Sequence, residues 1–369
     1  KGKLVGGGHT AVANGDMFVG EAYIVGTLGM STVARIGKKE LDTPLAFTER
    51  WNAIPNTFNA AFALNNSVDD LTLALAYVGQ TNTGIAADTG GNIGDTNNGS
   101  WKVQGDVSDQ FYSGAGAIAA LYNNKTVAVN FWAYYIKNVL SNGVAADLPA
   151  GIDNGLNVTA AWLDGGIKIA DMANVKLYGA YVAHDDSISE PGRTVAGITG
   201  DATSAGALSA DATFGGWTIF GAASTVTEGD LPVANTATGF KKTKLPTAGV
   251  YTDGLYVAQP GSTAVKLKAS GKLGSTGLTL QGVYNMNSGE DGQAMGINGG
   301  AVNTAVGTNY SGVGFAAETL ETTEVDFIVS QKLGVWNNKL IIMHRGFADS
   351  APDDKSAGQY VRLVTSVNF

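Results

Sequence analysis

Three histidines, 32 acids and 23 bases carry nearly all the charge chemistry of this 369-residue chain, which has no cysteine. Thiolate nucleophiles, disulfides and Cys-based zinc sites are therefore excluded. The imidazoles are His9, His184 and His344. His184-Asp185-Asp186 has the residue types with which an Asp–His unit activates water. Asp185 and Asp186 also offer hard oxygen ligands to Ca²⁺, but without the 12-residue loop spacing of an EF-hand. His344 near Ser350 would suit a hydrolase, yet no nucleophile motif surrounds either residue. Gly90-Gly91-Asn92-Ile93-Gly94 lacks the following Gly-Lys-Ser/Thr and helix of a phosphate loop. The chain reads as no enzyme, with a barrel hydrolase the remote alternative. It needs no cofactor, and structural Ca²⁺ on Asp185 and Asp186 is the weak exception.

Charge placement is more informative. The segment Glu40–Thr57 collects Asp42, Glu49, Arg50 and Trp51 between Pro44 and Pro55. Both signs of charge and a large ring on a stiffened loop suit a pore constriction; a solvated surface loop is the plainer alternative. A second group of bases shares strand faces: Arg35 with Lys39, and Lys266, Lys268 and Lys272. Arg345 and Arg362 fall opposite the apolar faces of the last two strands. A lysine or arginine on the lipid side costs about 2–4 kcal/mol at the bilayer midplane, so all of these bases are assigned inward. Acids concentrate in the long connections, among them Glu228, Asp230, Glu290 and Asp291.

Period-two alternation defines the elements that position these groups. Val127, Val129, Phe131, Ala133 and Tyr135 alternate with Ala128, Asn130, Trp132 and Tyr134. Val265 and Leu267 alternate with Lys266 and Lys268; Val325, Phe327 and Val329 alternate with Glu324, Asp326 and Ser330. Alternation over about 10 residues matches a tilted membrane strand. Strands are expected near 18–27, 32–40, 57–65, 71–80, 111–122, 126–137, 155–165 and 174–184. Seven more follow near 206–215, 217–226, 262–273, 277–287, 322–333, 338–347 and 358–369. Short connections such as Gly215–Trp217 alternate with long ones such as Gln80–Phe111, Val226–Ser262 and Asn287–Thr322. That asymmetry belongs to an outer-membrane barrel with short periplasmic turns and long extracellular loops.

Composition agrees. Charged residues make only 15% of the chain, below the roughly 25% of soluble domains. No run approaches the about 20 apolar residues of a membrane helix. A formal charge of -9 disfavours nucleic-acid binding, and a β-solenoid would need a fixed repeat that is not visible. Residues 1–369 are read as one barrel domain. Fifteen strands is an odd count, whereas closed single-chain bacterial barrels are even. Gly6, Gly7 and Gly8 make Lys1–Asp16 a poor strand, so upstream strands are expected to be absent from the chain; the alternative is that this segment supplies a sixteenth.

The chain ends in an alternating strand, Val361, Leu363, Thr365, Val367 and Phe369. A terminal Phe of this kind resembles the signal read by the barrel-assembly machinery. Ile36-Gly37-Lys38-Lys39-Glu40-Leu41-Asp42-Thr43-Pro44-Leu45, then Arg50 and Ile54-Pro55-Asn56-Thr57-Phe58, resembles the major outer membrane protein porins of epsilon-class proteobacteria. It is similar too to their relatives, the substrate-specific carboxylate porins of pseudomonads. The sharp match covers Phe18–Thr83. The resemblance implies an all-β antiparallel transmembrane barrel of 18 strands, about three of them ahead of Phe18, or 16 if Lys1 is the true start. It also implies a homotrimer in the outer membrane of a Gram-negative bacterium, touching lipid and lipopolysaccharide. Its inward-folded loops would narrow a water-filled pore for small hydrophilic solutes. Weak cation preference is the first expectation, and selection of a carboxylate-bearing solute the alternative.

Overall fold

A computed structural model describes residues 20–50, 55–81, 109–139, 156–170, 172–185, 200–238, 240, 242–254, 256–287, 320–347 and 358–367. Trp51, Asp186 and Phe369, named above, lie outside the described residues, as do 1–19.

The strands are β1 (Ala22–Gly29), β2 (Thr32–Lys39), β3 (Phe58–Val68), β4 (Leu71–Thr81), β5 (Asp109–Asn123), β6 (Val127–Val139), β7 (Leu156–Ile169) and β8 (Ala173–His184). They continue as β9 (Thr203–Phe214), β10 (Trp217–Val226), β11 (Ser262–Leu273), β12 (Thr276–Asn287), β13 (Leu320–Leu333), β14 (Trp336–Phe347) and β15 (Gly358–Val367). All 15 join one antiparallel sheet in chain order, the topology and loop economy of an up-and-down barrel. Among the described residues β1 and β15 each pair on one side only. Seven connections are short turns at one end of the strands and seven are long ones at the other. Two strands depart most from expectation: β1 begins only at Ala22 and ends at Gly29, and β7 runs four residues past 165, leaving a tight turn before β8. At the β9–β10 hairpin Gly215 and Gly216 both take positive φ, 57° and 79°. That is the two-residue turn whose twist matches its strands, and only residues tolerant of positive φ fill it well.

Alternation sorts the side chains as expected. On β11, Val265 and Leu267 are exposed while Ser262 and Ala264 are buried. Across the β12–β13 ladder Gln281 faces Asp326 and Val283 faces Glu324, all on the buried side. The outer face carries two aromatic belts. Tyr77, Tyr135, Tyr181 and Tyr284 stand exposed near the long-loop ends of their strands; Phe214, Trp217 and Trp336 stand exposed at the turn ends. Amphipathic rings in two such bands mark the two interfaces of a membrane.

The outward assignment has a direct test at Leu177, which is mid-strand in β8 and 63% exposed. Leu177→Arg is expected to destabilise the folded barrel in bilayers by about 2–4 kcal/mol. Denaturant titration in lipid vesicles measures it. Its neighbour Lys176 already carries a charge on the other face, so wild-type stability in the variant would reverse the two faces.

Candidate functional site

The described part of the 40–57 connection, residues 40–50 and 55–57, folds inward. Leu41–Thr48 forms a small tongue: Asp42 and Phe47 make an isolated bridge, and the Thr48 amide donates to the Leu41 carbonyl at 2.8 Å. Asn56, itself buried, closes the base by accepting the Glu49 amide at 2.6 Å and donating to the Phe47 carbonyl. The tip is apolar. Leu45, 2% exposed, shares a buried cluster with Tyr134, Val139, Val158, Ala160 and Val182 from the inner faces of β6, β7 and β8. A tongue rooted between β2 and β3 thus reaches the wall several strands away, crossing the space the sheet encloses. Burying such a side chain contributes about 1.5–3 kcal/mol.

A second connection, 227–261, meets it there. Leu231, Val233, Ala234, Ala237 and Phe240 complete the cluster around Leu45. Asn235 locks the two loops together: its amide nitrogen donates to the Phe47 carbonyl at 2.9 Å and to Glu49 Oε1 at 3.0 Å, and its oxygen accepts the Phe47 amide at 3.0 Å. Thr236 adds a hydroxyl donated to the Leu45 carbonyl at 2.8 Å. The same loop is pinned to the opposite wall. Lys266 Nζ donates to the Ala248 carbonyl, Ser224 and Thr247 hydroxyls lie 2.6 Å apart, and Arg345 Nη1 donates to Tyr256 Oη at 3.0 Å. Glu324 accepts the amides of Val250, Tyr251 and Thr252. Within the loop Asp253 pairs with Lys242 at 2.5 Å. Burial pushes its carboxyl up, while Lys242 and the Thr243 and Gly254 amides pull it back.

Against this frame the residues named from sequence divide. Asp42 accepts Lys244 Nζ at 2.5 Å, and that lysine also lies over the Phe47 ring. Glu49 is held by Asn235, and Arg50 pairs with Glu40. Lys39 reaches Glu21 at 3.6 Å and stands over Tyr23. The rim is therefore a set of neutralised pairs. Arg35 lies over Phe62 and Lys268 over Phe220, both on the inner face of the sheet. Lys272 shares the face of Lys268 at the turn end, and Arg362 shares that of Ile341. Lys266 and Arg345 point inward too, but they are corrected from open wall to struts under 227–261, because a loop docked over them takes up their donors.

The hydrolase alternative finds no unit of matching geometry among the described residues. His344 lies on the outer face, in register with Val325 and Gln359. His184 bonds Asp230 at 2.7 Å and the Asp185 carbonyl at 3.0 Å, and the His184 and Asp230 side chains are nearly inaccessible (1% and 2%). Asp230 also accepts the Gly200 and Asp201 amides, so it ties a loop root rather than standing in solvent. Asp185 spends its oxygens on the Asn157 amide and side chain, at 3.0 and 2.6 Å.

Reasoning from sequence missed Asn235, Lys244, Glu324 and the whole 227–261 dock. One signal was present. Leu231, Val233, Ala234, Val250, Tyr251, Tyr256 and Val257 make this connection more apolar than the Gly/Asn-rich 82–108.

The sheet, its belts and its inward loops are those of an outer-membrane porin fold. Comparison with solved structures agrees. Pseudomonas aeruginosa OccK3 (OpdO) superposes with a TM-score of 0.61 at 11% identity, covering 91% of this chain and 75% of that one. A BenF-like porin from Pseudomonas fluorescens Pf-5 gives 0.63 at 12%, covering 94% and 76%. Pseudomonas aeruginosa OccK2 (OpdF), in complex with glucuronate, gives 0.61 at 10%, covering 91% and 77%. At such identities the shared property is the fold. No protein-family model and no curated protein matches the sequence.

Proposed function

We propose that this chain forms an outer-membrane channel of a Gram-negative bacterium, through which ions and small hydrophilic solutes diffuse passively. The observation that carries the reading is the pair of loops, 40–57 and 227–261, interlocked inside the sheet through Leu45, Phe47 and Asn235. A plug built from the barrel's own loops narrows a lumen without sealing a membrane, and selection then follows width and lining charge. Paired charges on the rim suit weak selectivity, and a net charge of -9 tips it toward cations.

A second, finer reading is a channel selective for a carboxylate-bearing small solute. It is favoured by the glucuronate complex of OccK2 (OpdF) and by the bases Arg35, Lys268 and Arg362 on the wall. Homotrimer formation, contact with lipid and lipopolysaccharide, kinship with the epsilon-class porins and a role for Phe369 in assembly belong to the same proposal.

Single-channel recording in planar bilayers tests it. Ohmic steps are expected. Block by millimolar glucuronate selects the carboxylate reading, and indifference to it selects general diffusion. Folded, inserted protein without conductance would end both.

A further inference from the structure

We propose that Glu324 is the residue that positions the 227–261 loop, and that the charge on its carboxylate sets both the lumen's width and the sign of its wall. This rests on the channel reading above. Glu324 sits on the inner face of β13 and is 1% exposed. Its oxygens accept the amides of Val250 at 2.6 Å, Tyr251 at 3.1 and 3.2 Å and Thr252 at 2.5 Å, from 72 to 74 residues away. Successive backbone N–H groups aimed at one point make a concavity suited to an anion. Here the wall itself supplies that anion. The backbone comes so close at Gly249 that a Cβ there would stand 2.5 Å from Glu324 Oε1 and 3.2 Å from Val283 Cγ2. No side chain separates loop from carboxylate.

The charges around it can be named strand by strand. On β13 itself Asp326 lies two positions along the same face, accepting the Gln281 side chain at 2.6 Å. Facing β12 positions, Gln281 and Val283, are uncharged. β11 contributes Lys266 and Lys268, and β14 contributes Arg345 directly across the ladder. From the loop come Asp253, paired with Lys242, and the phenols of Tyr251 and Tyr256; β15 adds Arg362 and Tyr360, stacked on Tyr251. The wall here thus sets four cations, Lys266, Lys268, Arg345 and Arg362, against two carboxylates, Glu324 and Asp326.

Removing the charge of Glu324 does two things at once. Hydrogen bonds to a charged acceptor are about twice as strong as those to a neutral one, so the loop's seat weakens. The wall also loses a negative charge that offsets its bases. Asp253 cannot substitute in this role, because it bonds Lys242, Thr243 and Gly254 of the loop itself.

The test compares the full-length wild type with Glu324→Gln, which keeps the shape and removes the charge, at one neutral pH. Conductance of E324Q should exceed that of the wild type, and its reversal potential in a salt gradient should move toward anions. Glu324→Asp, which keeps the charge, should hold the wild-type reversal potential. Asp326→Asn, run in parallel, removes an equal charge from the same face and should move the reversal potential with a smaller rise in conductance. An E324Q channel with the wild type's conductance and reversal potential would overturn the proposal, as would an Asp326→Asn channel that widens as much as E324Q. Folded protein that does not conduct would instead overturn the channel reading.

Discussion

Replacing 232–259 by a short Gly/Ser link should raise single-channel conductance roughly twofold or more, since current follows the open cross-section of a wet pore. Replacing Pro44–Glu49 alone should raise it less. The order follows from the anchors. The tongue fills one side of the enclosed space and rests on β6 to β8 through Leu45. The 227–261 loop spans from that same cluster to β11, β13 and β14, through Lys266, Glu324 and Arg345. Removing it also removes Asn235, which holds Phe47 and Glu49, so the tongue loses its clamp. The strand ladders carry none of these bonds, so both variants should still insert and show heat-modifiable migration. Equal conductance in the wild type and both variants would place these loops away from the permeation path.

Charge substitutions should divide by whether the group is free to act on solutes or holds a loop. Asp42→Asn unpairs Lys244 at the rim, and the reversal potential in a salt gradient should shift toward anions. Lys268→Gln removes a wall base that rests only over the Phe220 ring among its described contacts, and the shift should run toward cations with little change in conductance. Lys266→Gln should behave differently. It deletes the donor to Ala248, so its main effect should be noisier current as the loop loosens. Shifts at exposed sites should vanish in about 1 M salt, where the Debye length falls to about 3 Å. A Lys266→Gln channel identical in noise to Lys268→Gln would restore Lys266 to the open wall.

Much of this molecule is legible in local pattern. A strand shows its two faces to different solvents, so its sequence must alternate, and the alternation in 262–273 or 320–333 reports which side each base or acid takes. Turn lengths are equally local, since a hairpin such as Gly215-Gly216 needs only its own φ angles. The antiparallel all-β architecture and the approximate place of each described strand could therefore be read residue by residue. The dock could not. Asn235 and Phe47 are 188 residues apart in the chain, and Val250 and Glu324 are 74 apart. Nothing in the period-two signal of β13 distinguishes an inward glutamate that lines water from one that seats a loop. The meeting of those partners depends on the sheet curling until distant loops share one interior, where an apolar connection gains more by covering wall than by standing in solvent. That choice belongs to the tertiary structure, and it turned two expected wall bases into struts.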